Sequence, residues 1–247
     1  MVDKEFLMAR FRELAKISGS RDIFTFSDFV SPSDAALAPQ CAGGVPFRSW
    51  GGMDGCERVM LRFGDEALIG YEVPFPITVI RVRARSERFA EDLTHRDFLG
   101  ALMHLGIERD VLGDILLRDN CAWVFVKEQI APFIEEELVS VKHTSVTCTR
   151  MEEIPEDVRL RREECLLNVP SVRLDALVAR LYHLPRGKAK DLFASGLVLV
   201  NGSEAKESAS LKEGDAVSVR GFGKFLYAGV EKETKKGRIV ARVEVYV

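Results

Sequence analysis

A chain of 247 residues, 47% hydrophobic and 30% charged, has the composition of a folded globular protein of two or three domains, which excludes a largely disordered chain. The formal net charge of −3 is uneven: residues 171–247 carry 14 Lys+Arg against 9 Asp+Glu, giving +5, whereas residues 1–170 carry 21 against 29, giving −8. The basic end is the candidate nucleic-acid surface, and the acidic remainder would repel free RNA, which favours a partner that presents protein as well as RNA. The N-terminus is charged from its third residue and no apolar run approaches a membrane span, so a cytoplasmic protein without a membrane segment is expected. Cys41, Cys56, Cys121, Cys148 and Cys165 have no paired spacing, and His95, His104, His143 and His183 stand far from them in sequence. Free thiols are expected, with neither a disulfide framework nor a zinc site, and no metal or other cofactor.

In chain order, residues 5–17 carry Leu7, Phe11 and Leu14 at helical spacing, which predicts a helix packed on its own domain. From Phe26 to Glu72 the chain is broken by Pro32, Pro39, Pro46, Gly43-Gly44 and Gly51-Gly52, with a strand expected over 58–63. The glycine pairs lack the strand-to-helix context of a phosphate loop. Residues 1–74 read as a small α/β domain.

Residues 75–150 are more sharply patterned. Strands are expected at 77–83, 114–117, 122–126 and 145–149, and helices at 97–105 and 129–138. This β-α-β-β-α-β order is that of a ferredoxin-like domain, which RNA-recognition motifs share. Such motifs stack bases on exposed aromatic residues, and the central strands here offer Trp123 and Phe125, which lie on one face of a regular strand. Packing against the helices is the expectation for this pair, and a base-stacking platform is the alternative. Thr94 and Asp97 have capping-box spacing at the first helix, and Gly106 ends it. His95 and Arg96 then stand at the positive end of that helix as candidate phosphate contacts. Residues 151–170 read as a linker, in which Arg159, Arg161 and Arg162 beside Glu163 and Glu164 form a solvated charged face.

In residues 171–247, Leu174, Leu177, Val178 and Leu181 form one apolar helical stripe, with Ser171 as the expected cap. A second helix is expected over 186–195, burying Ala189, Leu192 and Phe193, presenting Arg186, Lys188 and Lys190, and stopping at Gly196. A β-run from Leu197 to Val200 ends in the tight-turn pair Asn201-Gly202, and Glu213-Gly214-Asp215 turns the chain into a strand over 216–220. Helix, helix and strand with basic exposed positions make a surface suited to a phosphate backbone.

The Arg173-Leu174-Asp175 start, the RGKAK turn (186–190), GLVLVNG (196–202) and KEGDAVSVRG (212–221) resemble, in order and spacing, the S4 RNA-binding domain. That family usually has Ser or Thr before the arginine of the second helix, whereas Pro185 stands here and supplies no capping hydroxyl. With THRDFLGALMHLGIERDVLGDIL (94–116) and GFGKFLYAGVEKETKKGRIVARVEVYV (221–247) included, most of the chain resembles the YlmH family of bacterial S4-domain proteins. That family is encoded near cell-division genes in Gram-positive bacteria and is linked to large ribosomal subunits carrying stalled peptidyl-tRNA. The resemblance implies an α+β multidomain chain ending in an S4 module, and a role in ribosome rescue or quality control.

The first turn of the second helix offers unpaired backbone N–H groups beside Arg186, Lys188 and Lys190. If Arg173, Arg186, Lys188, Lys190, Lys206, Arg220 and Lys224 converge, affinity is electrostatic and falls roughly 10³-fold between 50 and 200 mM salt. Arg186, Lys190 and Arg173 match the module's RNA-facing positions best, and Lys235-Lys236 mark either a basic hairpin finger or a polar turn. The expected partners are structured ribosomal or transfer RNA and the large ribosomal subunit, with no small-molecule substrate. A pseudouridine synthase is the enzymatic alternative. Its S4 module usually precedes a catalytic domain with its own aspartate, whereas the module here is C-terminal and holds the only RLD. No Walker loop, nucleophile elbow, dinucleotide loop or His-Cys pair is present, so no catalytic residues are assigned. A division-associated protein adaptor, led by residues 1–170, is the other alternative.

Overall fold

A computed structural model describes residues 4–89, 91–118, 121–234 and 237–247. The chain divides into two compact units. The first holds the residues up to Ser31 and Leu37–Arg159, and the second holds Pro32–Ala36 and Leu160–Val247.

The first unit opens with α1 (Lys4–Arg21), which buries Phe11, Leu14, Ala15 and Ser18, a helical stripe that runs four residues past the expected end. Strand β1 (Thr25–Phe26) follows, and the short α2 (Pro32–Ala35) belongs to the second unit. After α3 (Ala38–Cys41) come β2 (Phe47–Trp50) and β3 (Met60–Phe63), giving a small antiparallel sheet of order β1-β3-β2, and α4 (Glu66–Ile69) follows in the chain.

The β-α-β-β-α-β pattern is realised by β4 (Ile77–Ala84), α5 (His95–His104), β5 (Leu112–Arg118), β6 (Cys121–Lys127), α6 (Ala131–Glu137), and β8 (Thr144–Met151) preceded by the two-residue β7 (Ser140–Val141). The antiparallel sheet runs β5-β6-β4-β8-β7. Pro132 sits in the first turn of α6, which shortens the expected helix to a 3₁₀ turn followed by seven α-helical residues. Phe98, Leu102 and Ile134 of the helices pack on Ile80, Val82, Val124 and Val126 of the sheet. Each such fully buried side chain contributes about 1.5–3 kcal/mol.

Trp123 and Phe125 alternate with that core and point to the opposite face, yet they are 5% and 0% exposed. They do not pack against the helices as expected, because strand alternation turns them to the other face, where residues from before β4 cover Phe125 and the Arg81 guanidinium lies 6.0 Å from the Trp123 ring centre. A Cβ on Gly52 would meet the Phe125 ring at 2.4 Å, and one on Gly113 would meet Phe29 at 2.8 Å. The Arg58 guanidinium donates to the carbonyls of Phe29, Arg109 and Leu112 at 2.7–3.0 Å, and Lys127 pairs with Asp28. Residues 4–31 and 37–74, read from sequence as part of a separate small domain, thus share one compact unit with the ferredoxin-like fold, and Pro32–Ala36 belong to the other.

The second unit begins inside the segment read as a linker. Residues 162–169 form β9 (Arg162–Val169), which pairs along its length with β14 (Ile239–Tyr246). Its buried Leu167 and Val169 alternate with charged or exposed neighbours, a strand signal masked by the run Arg161-Arg162-Glu163-Glu164. Helices α7 (Leu174–Leu181) and α8 (Arg186–Ala194) follow, then β10 (Val198–Val200), β11 (Ser203–Glu204), β12 (Ala216–Val219) and β13 (Gly223–Glu233). The six-stranded antiparallel sheet has the order β11-β10-β12-β13-β14-β9. Leu174, Leu177 and Val178 pack on Leu167, Val169, Val217, Val219, Phe225, Ala241 and Val243. Asn201 and Gly202 both take positive φ, 48° and 80°, in the tight hairpin predicted between β10 and β11.

Ser171 is not the cap of α7. Arg173 holds the N-cap position, and the following amides are satisfied by the loop before β12. Leu174 N–H donates to the Ala209 carbonyl and Asp175 N–H to the Glu207 carbonyl, both at 3.1 Å. Backbone acceptors thus do the work expected of a hydroxyl.

Candidate nucleic-acid interface

Helix α8 starts without a side-chain cap. Pro185 is its N-cap, and the first intrahelical bond is Ala189 N–H to the Pro185 carbonyl at 3.1 Å. The amides of Arg186, Gly187 and Lys188 precede that bond, so proline in place of Ser or Thr leaves helix-start donors without a side-chain cap. Arg186 and Lys188 are exposed, and among the described residues neither side chain makes an ion pair. A Cβ on Gly187 would meet nothing within 4 Å, so packing does not explain this glycine, and its absent side chain leaves the backbone open to close approach.

The turn into α8 brings in residues not singled out from the sequence. The Leu184 N–H reaches the Ala179 carbonyl at 2.9 Å and His183 has φ +53°, so α7 ends in a Schellman motif with histidine at the left-handed position. Beside it lies an open recess of about 350 Å³ lined by Arg180, His183, Arg186, Arg238 and Asn168. Arg238 is fixed there by Asn168, whose side-chain oxygen and carbonyl accept at 2.5 and 3.0 Å. Arg180 and Arg186 are exposed guanidiniums on its border. Three arginines around one recess, next to uncapped amides, gather hydrogen-bond donors of the kind that suit phosphate oxygens.

The other predicted positions do not all converge on this recess. Arg173 donates to Asp175 at 3.0 Å, and Lys190 stands 3.7 Å from Glu207. Burial works to raise the Asp175 carboxyl, and the Arg173 hydrogen bond overrides it and holds the pKa below its usual value. These two cations are therefore partly offset by neighbours of the same unit. Lys206 is exposed in the loop after β11, and Arg220 is exposed after β12, its N–H bonded to the Leu197 carbonyl. Lys224 pairs across the sheet with Ser218, on the face away from α7 and α8, and its ammonium lies 5.1 Å over the Tyr246 ring. Lys235 and Lys236 lie outside the described residues.

In the first unit, Thr94 N–H donates to the Asp97 carboxylate at 2.8 Å, completing the predicted capping box, and Lys142 pairs with Asp97 at 2.8 Å. The Lys142 and Thr94 hydrogen bonds hold the Asp97 pKa down at about 2. His95 and Arg96 are both exposed at this helix start. Partial burial and the Arg109 guanidinium hold the His95 pKa below its usual value. Among the described residues, no group of three or more His, Cys, Asp or Glu side chains is placed to hold a metal. No helix among them is long and apolar enough to cross a membrane.

The module of two helices and a basic helix start is that of an S4-domain RNA-binding protein. Residues 172–217 match the S4 domain family, and residues 72–154 match a family described as "Putative RNA-binding domain in YlmH". The chain belongs to the YlmH family. It is 31% identical over 222 residues to "Ribosome-associated protein quality control protein P2" of Bacillus subtilis (strain 168), covering 86% of this chain and 83% of that protein. The solved "Cell division protein ylmH from Streptococcus pneumoniae" superposes with a TM-score of 0.50 at 20% identity, over 61% of this chain and 92% of that one, a likeness of fold. The matched families are RNA-binding rather than catalytic ones.

Proposed function

We propose that this chain is a non-enzymatic, cytoplasmic RNA-binding factor of the ribosome, anchored through its S4 unit on structured ribosomal or transfer RNA of the large subunit during rescue of stalled translation. The observation that carries the reading is the uncapped start of α8, where Arg186 and Lys188 lack ion pairs among the described residues and Arg180 and Arg238 border the adjoining recess. The Bacillus subtilis relative, named as a ribosome-associated quality control protein, supports the cellular setting.

Contacts of this kind follow phosphate charge and are blind to base sequence, so binding weakens steeply with salt. The test is binding of the full chain to deproteinised large-subunit RNA and to transfer RNA over a salt series. Arg186→Glu/Lys188→Glu is expected to weaken binding roughly tenfold or more and to flatten the salt dependence. Lys224→Glu, on the opposite sheet face, is expected to have the smaller effect. Equal losses from both variants would contradict an anchor at α8.

A further inference from the structure

The face of the ferredoxin-like sheet turned away from α5 and α6 has two halves of different chemistry. One half, around Val79, Gly113 and Phe125, is closed by Phe29 and Gly52 and is apolar. The other half is open. Strand alternation places Arg81, Arg83 and Arg85 there from β4 and its end, with Arg118 from β5. The cross-strand neighbours of the β4 arginines on β8 are Thr149, Thr147 and Ser145. No acidic residue occupies these positions, and among the described residues none of the four guanidiniums makes an ion pair. Arg83, Arg85 and Arg118 are exposed, and the Arg85 Nε–H donates to the Val146 carbonyl at 3.1 Å, which leaves its terminal nitrogens for a ligand. Arg81 is half-buried, with its guanidinium 6.0 Å from the Trp123 ring centre and its Nε without a protein partner.

Guanidiniums without ion pairs on neighbouring same-face positions repel one another, and an anion bridging them relieves that repulsion. Alternate residues of a strand lie about 6.6 Å apart, a spacing comparable to that of successive phosphates on an RNA strand. The aromatic pair that would stack bases is sealed, so this face lacks the platform by which an RNA-recognition motif reads single strands. Exposed arginines and hydroxyls remain, and these suit phosphate oxygens.

We infer that the open half of this sheet, centred on Arg81, Arg83 and Arg85, is a second RNA surface that grips the phosphate backbone without reading bases. This deepens the RNA-binding reading above and rests on it for the identity of the polyanion. It places the contact on the sheet, away from the helix start at His95 and Arg96.

The test uses the full chain and a labelled RNA hairpin, in four forms: wild type, Arg83→Glu/Arg85→Glu, Arg186→Glu/Lys188→Glu, and both pairs combined. The sheet variant is expected to bind roughly tenfold more weakly and to lose about 1.4–1.8 from the slope of log affinity against log salt, the share of two phosphate contacts. Arg83→Lys/Arg85→Lys, which keeps the charge, is expected to retain most of the binding, and this separates lost charge from lost folding. A sheet variant that matches wild type in affinity and slope, while the α8 variant loses both, overturns the sheet surface and leaves the α8 anchor standing. The reverse pattern keeps the sheet surface and sinks the α8 anchor. Normal hairpin binding with loss of large-subunit binding would assign the arginines to an acidic protein partner and overturn the inference.

Discussion

At position 183 the chain places a histidine where a helix end ordinarily takes glycine, with φ +53° beside the arginine-lined recess. A non-glycine residue in this conformation costs about 1–2 kcal/mol. His183→Gly is therefore expected to raise the melting temperature by a few degrees while weakening RNA binding, measured by thermal unfolding and RNA titration. A lower melting temperature would show that the imidazole is held by packing. Asp97 supplies a pH signature. Its folded pKa of about 2 lies below the ordinary 3.8, so its contribution is fully present above about pH 4 and is lost as pH falls through about 2. Asp97→Asn should remove the part of acid destabilisation that falls between those values in urea titrations at stepped pH. The box at Thr94 and the basic turn at 186–190 were legible because they are local patterns, four and five residues long. The recess was not, because Arg238 and Asn168 stand 70 residues apart and meet only when β14 pairs with β9.

Strand β9 shows the same limit among elements. Its charges suggest a linker, and only the partner strand β14 shows that Leu167 and Val169 complete the core under α7. Burial of that pair contributes about 3–6 kcal/mol, comparable to the whole stability of a small domain. A fragment starting at residue 160 is expected to unfold cooperatively, whereas one starting at 171, where the sequence suggests the module begins, is expected to be unfolded or aggregated by circular dichroism and sedimentation. Cooperative melting of the shorter fragment would contradict the role given to β9. The strands and helices of the ferredoxin-like fold were legible from hydrophobic alternation. The fate of Trp123 and Phe125 was not, since alternation gives the face a residue shares but not what covers that face. Gly52, at φ +100° against the Phe125 ring, tests the cover. Gly52→Ala should destabilise the protein by about 1–3 kcal/mol in chemical denaturation, and a neutral result would mean the cover is loose.

Across the whole molecule, net charge is a poor guide to where basic surface lies. Residues 1–170 sum to −8, yet the open sheet face within them gathers arginines with no acidic neighbour at its positions. Charge sums average over surfaces that strand alternation keeps apart. On the proposed reading the start of α8 anchors the protein on the ribosome. The most direct test of this is co-sedimentation of wild type and Arg186→Glu/Lys188→Glu with large ribosomal subunits from about 50 to 200 mM salt. Salt-sensitive binding by wild type that is lost in the variant is the predicted result. Equal binding by both would contradict it and move the main contact to the first 170 residues.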